Sequence, residues 1–73
     1  MDSYINSIES RFAKKWLGKK VTFKMFGHSM TGEVIETKIH YLVTGIHYIV
    51  TVELFDPKQM KVSLNRQAVR IVE

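Results

Sequence analysis

The chain has no cysteine, one proline and four glycines, and none of its apolar runs approaches the length of a membrane span. Each absence closes something off. Without cysteine there is no disulfide, no thiol nucleophile and no cysteine-ligated zinc, and secreted domains this small usually carry such staples. A transmembrane helix needs roughly 20 consecutive apolar residues, so no spanning segment and no membrane partner are expected. The first residues also lack the basic-then-apolar build of a secretory leader, and the expectation is a soluble, cytoplasmic protein. Scarce proline and glycine exclude collagen-like and low-complexity chains, while 45% hydrophobic and 25% charged residues make a globular composition. Acids are in the minority, seven against eleven lysines and arginines, for a formal net charge of +4. That balance favours anionic partners.

What is present is short: 73 residues, enough for one domain. A chain of this size hides only roughly 60–65% of its unfolded surface, so the core is small and self-association or a partner would help it. Asp2 or Ser3 offers a cap for a helix over 3–17, in which Ile5, Ile8, Phe12 and Trp16 recur at spacings of three and four with Tyr4 at the margin. Lys14 and Lys15 fall in its last turn, where positive charge complements the helix dipole, and Gly18 is a stop signal.

From 20 to 72 the periodicity changes to two. Val21, Phe23 and Met25 alternate with polar residues, Gly27-His28-Ser29 interrupts them, and Met30 and Val34 resume around Gly32. After Val34 the apolar positions shift to Ile35, Ile39 and Tyr41, and such a change of face requires a bulge or sharp bend. Val43–Gly45 breaks the pattern, and Tyr48, Val50, Val52 and Leu54 form a third strand with Ile49 and Phe55 on its other face. Asp56-Pro57-Lys58 reads as a turn, Met60, Val62 and Leu64 as a fourth strand, and Val69 and Ile71 as a short fifth. Asn65-Arg66-Gln67 is too brief for an open loop and is expected to form one tight helical turn.

The sum is a mainly β chain with one N-terminal helix and five strongly bent strands in a small barrel. This order of elements resembles the Sm-like proteins and, more broadly, the SH3-like small barrels that include KOW-type modules. Val21, Phe23, Met25, Gly27, Met30, Gly32 and Val34 are similar to the Sm-like series over the first two strands. The resemblance implies the fold. It does not extend to the family's RNA-reading residues, because Phe26 stands where an Asp or Asn usually precedes the turn glycine. Glu36–His40 lacks the family's Asp and Asn, and Arg66 is followed by Gln67 instead of glycine.

Side chains with catalytic or ligating chemistry are few. His28, His40 and His47 have no cysteine or patterned carboxylate beside them, so no metal and no cofactor are expected. His28-Ser29 lacks a third, orienting group, and Gly27–Gly32 lacks the length and following lysine of a phosphate loop. Glu33 and Glu36 have opposite parity on one strand unless a bulge realigns them. No enzyme activity is expected. The basic residues point elsewhere: Arg11, Lys14, Lys15, Lys19, Lys20 and Lys24 lie close together in the chain with no acid between them. Helix termination explains two or three of these. Lys14, Lys15, Lys19, Lys20, Lys24, Arg66 and Arg70 are the expected contacts to an RNA or DNA backbone, with Phe26 and His28 as base contacts. The competing reading makes Phe26 a core residue or a helix contact and the lysines ordinary solvated charges. The alternative function is docking on another protein, or on a second copy, through a strand edge or through Ile35, Ile39, Ile49 and Phe55.

Overall fold

A computed structural model of the chain describes residues 2–56 and 59–72, with side chains from residue 8 onward. Helix α1 (Asp2–Trp16) leads into strands β1 (Lys20–Met25), β2 (His28–Leu42), β3 (Gly45–Leu54), β4 (Lys61–Asn65) and β5 (Val69–Ile71). The fold is therefore mainly β. All five strands are antiparallel neighbours in one sheet of order β4-β3-β2-β1-β5, which makes a small, barrel-like fold with β4 and β5 at its margins. A single 3-10 turn, Arg66–Ala68, carries the chain from one margin to the other, and the Asn65 side chain caps it by accepting from the Gln67 N–H at 3.1 Å. Among the described residues no helix is long and apolar enough to cross a membrane.

The core follows from the alternation. Val21, Phe23, Val34, Val50, Val52, Leu54 and Val69 point inward from four strands and are buried, and Phe12 and Trp16 close the cluster from the helix. Phe12 meets Trp16 edge-on at 6.4 Å and Tyr48 at 5.1 Å, the geometry that the aromatic quadrupole prefers. The Trp16 indole nitrogen is buried with no hydrogen-bond partner among the described residues. After the helix stops, the Gly18 N–H donates to the Val34 carbonyl at 2.9 Å and the Val34 N–H to that of Lys19 at 3.0 Å, which ties the helix end to the middle of β2.

Two features shape β2. Gly32 lies where a Cβ would be driven into the Glu53 carbonyl and to 2.7 Å from Val52 Cγ1, so only glycine lets β2 and β3 approach this closely. Two residues on, the register slips between Val34 and Glu36, leaving Ile35 as a bulge. The expected change of face is thus real, with one correction. Because Ile35 is the extra residue, Ile39 turns inward against the core instead of outward, while Ile35 and Phe55 stay exposed. The bulge also brings Glu33 and Glu36 to the same outer face, opposite Glu53 and Thr51.

The first hairpin is tighter than Gly27-His28-Ser29 implied. Met25 pairs directly with His28, and only Phe26 and Gly27 form the turn. The side chains of Asp2 and Ser3, and with them the expected cap, the Tyr4 and Ile5 side chains, and Pro57 and Lys58 lie outside what the structure describes.

Candidate nucleic-acid interface

Along β1 the outward residues are Lys20, Thr22 and Lys24, and pairing decides what each of them faces. On one side Thr22 opposes Arg70 of β5; on the other Lys24 opposes Ser29 of β2. Residues directly opposite in an antiparallel pair point to the same face. Lys24 and Arg70, far apart in sequence, therefore border one open depression of about 540 Å³ with Thr22, Ser29 and Gln67. Two cations, the Ser29 hydroxyl and the Gln67 amide line it as donors and no acid does, while the Thr22 hydroxyl donates to the Met30 carbonyl at 3.0 Å.

Lys20 is placed differently. It opposes Glu33, which opposes Glu53, which opposes Lys61, so one row across the outer face holds two adjacent acids flanked by a lysine at each end. Part of the Lys20 charge is offset by that neighbour. The acids gather on β2 and β3 while β1 and β5 remain basic, so the outer face is electrostatically divided along the β1–β2 boundary.

A second basic group lies on the helix side. Arg11, Lys15 and Arg66 line a shallow groove of about 320 Å³ with Ile8, Phe12 and Tyr48. The Arg66 guanidinium sits 4.0 Å from the centre of the Tyr48 ring, a cation–π contact that holds its plane against the aromatic face. Arg66 and Gln67 are consecutive in the 3-10 turn, one bordering the groove and the other the depression. That turn joins the two basic regions.

The nine expected contact residues thus divide, with Lys20 set apart beside Glu33. Lys24 and Arg70 come together on the sheet; Lys15 and Arg66 come together beside the helix; Lys14 is exposed on the helix and Lys19 at the junction, each outside both groups. Phe26 and His28 occupy the tip of the first hairpin, next to Lys24 and Ser29. Phe26 is not a core residue, since 91% of it is exposed. Its φ of 52° and the 78° of Gly27 define a type I′ turn, and a side chain other than Gly, Asn or Asp in the left-handed region costs about 1 kcal/mol. Two contributors went unread in the sequence. Arg11 stood in the basic run and was passed over, and Tyr48 was assigned wholly to the buried face of its strand. Only the seating of the 3-10 turn against β3 shows the Tyr48 ring facing Arg66.

Elsewhere His40 and His47 oppose each other across β2 and β3, and the described residues contain no group of three or more potential metal ligands. No protein-family model matches this chain, and neither does any curated protein or any solved structure.

Proposed function

We propose that this is a small non-enzymatic nucleic-acid-binding protein that holds RNA or DNA by its phosphates, with little sequence specificity. The observation that carries this reading is the Lys24–Arg70 depression, where sheet register gathers two cations, the Ser29 hydroxyl and an amide without an acid. Phosphate oxygens accept hydrogen bonds and neutralise such cations, and the condensed counterions released supply most of the affinity. Arg66, Lys15 and Arg11 extend the track around the 3-10 turn. The element order keeps its likeness to Sm-like and SH3-like small barrels, which supports the reading as an expectation about the fold. The cytoplasm is the compartment this reading implies, given the lack of cysteine.

Fluorescence anisotropy with labelled oligonucleotides at several salt concentrations tests it. Log affinity should fall linearly with log salt, and Lys24→Glu with Arg70→Glu should cut affinity at least tenfold and flatten the slope by about 0.7–0.9 per lost contact. Wild-type protein that ignores every oligonucleotide at low salt would remove the proposal.

A second reading has its own observation. Tyr41, Leu42, Val43 and Ile46 are all more than half exposed around the β2–β3 turn. An apolar cluster at the end of a hairpin suits a protein partner or a second copy, and binding through it should persist at salt concentrations that abolish phosphate contacts.

A further inference from the structure

The turn between β1 and β2 holds a residue that the turn itself does not favour. Type I′ turns take Asn-Gly or Asp-Gly, because both central residues need positive φ. Here Phe26 occupies the first central position, and the ring gains no burial in exchange. Backbone strain at an exposed aromatic is the kind of feature that a functional role maintains. The position also matters. Phe26 is the first residue of the turn, one past the end of β1 and two beyond Lys24, and Met25↔His28 and Lys24↔Ser29 pairing joins the turn directly to the wall of the basic depression.

We propose that Phe26 is a stacking platform for an unpaired base and that it makes this interface select single-stranded over duplex nucleic acid. The inference rests on the nucleic-acid reading above and sharpens it. A strand whose phosphates lie on Lys24 and Arg70 presents its next base at the hairpin tip, where the exposed ring offers an apolar, polarisable face. In a duplex both faces of every internal base are already covered by its neighbours, so the ring adds nothing there. A two-residue turn closing a paired ladder is short, which limits the conformational freedom lost on binding. Stacking on an aromatic platform tolerates any base, in keeping with low sequence specificity.

The test compares wild type, Phe26→Asn, Phe26→Tyr and the double variant Lys24→Glu/Arg70→Glu, using a labelled single-stranded oligonucleotide and its duplex at matched salt. Wild type should prefer the single strand. Phe26→Asn should lose roughly 5- to 100-fold for the single strand and be unchanged for the duplex, and Phe26→Tyr should keep wild-type affinity. Because asparagine suits the turn, Phe26→Asn should also melt at a higher temperature than wild type, which separates lost stacking from a damaged fold. A single-stranded oligonucleotide carrying 2-aminopurine should be quenched on binding wild type and not on binding Phe26→Asn. If Phe26→Asn binds the single strand as well as wild type while the charge-reversal variant does not, the platform is wrong and the phosphate reading survives. If wild type binds neither polymer, both fall. If Phe26→Asn melts lower, the ring packs in solution and the stacking proposal is overturned.

Discussion

Phe26-Gly27 and Val43-Thr44 turn the chain at opposite ends of β2, and the two ends rest on different supports. From His28 to Glu33, β2 pairs with β1, β3 joins it on the other side from Gly32 onward, and β5 backs β1 from Val21 to Phe23, so only the Lys24–Ser29 and Met25–His28 pairs extend past a third strand. Past the Ile35 bulge the pairing with β1 has ended, and β4 reaches no further along β3 than Ile49. The far end is a bare two-stranded ribbon, and a lone hairpin is marginally stable in water. Its residues differ too. No acid occurs from Thr37 to Val52, and Tyr41, Leu42, Val43 and Ile46 leave apolar surface in water on both faces of the ribbon. The near end presents charge and one aromatic on an overhang of two residue pairs, against four at the far end, and so holds its side chains in the more fixed geometry. The far end presents apolar surface on an adaptable arm.

The largest test of this contrast is Gly32→Val, which thrusts a branched side chain against the Glu53 backbone in the supported half. A loss of about 3 kcal/mol is expected, out of a total of about 4–11 kcal/mol for a chain of this length, measured by denaturant unfolding. Next come two valines on the same strand pair. Val34→Ala, in the fully packed half, should cost about 2 kcal/mol, whereas Val43→Ala should stay within about 0.5 kcal/mol. A Val43→Ala cost near that of Val34→Ala would mean that the arm is covered in solution, and a concentration-dependent melting temperature would identify a second copy as the cover. The smallest effect is kinetic. Amide hydrogens from His40 to His47 should exchange through local openings, while those of Val21, Phe23 and Val52 should exchange only on global unfolding.

Much of this was legible in the residues, for local reasons. The Phe12–Trp16 spacing, the Val21–Phe23 alternation and the parity change after Val34 each report which face a side chain presents, and the structure has the helix, the strand and the bulge where they were read. The 3-10 turn at Arg66 was legible because nothing longer fits between β4 and β5. What stayed hidden depends on how elements sit against one another. A lysine carries no periodic signal, so the run from Arg11 to Lys24 read as one cluster. Folding scatters it: Arg11 and Lys15 reach the helix groove, Lys24 the sheet depression, and Lys14, Lys19 and Lys20 neither. Phe26 was ambiguous for a related reason: hydrophobicity argued for the core, and only the observed turn geometry shows that its backbone turns the ring outward. Ile39 was misplaced because the bulge was foreseen without knowing which residue is the extra one.

Trp16 gives the molecule an optical use. It is the chain's single tryptophan, 6% exposed, and its indole N–H meets no acceptor among the described residues. An indole in so apolar a shell emits further to the blue than one in water, so the protein contains its own fluorophore for the seating of α1 on the sheet. A red shift with the β-sheet circular dichroism intact would report a helix that lifts off a surviving barrel. A red shift that tracks the loss of dichroism would report one cooperative unit, in which the helix is the barrel's fixed lid.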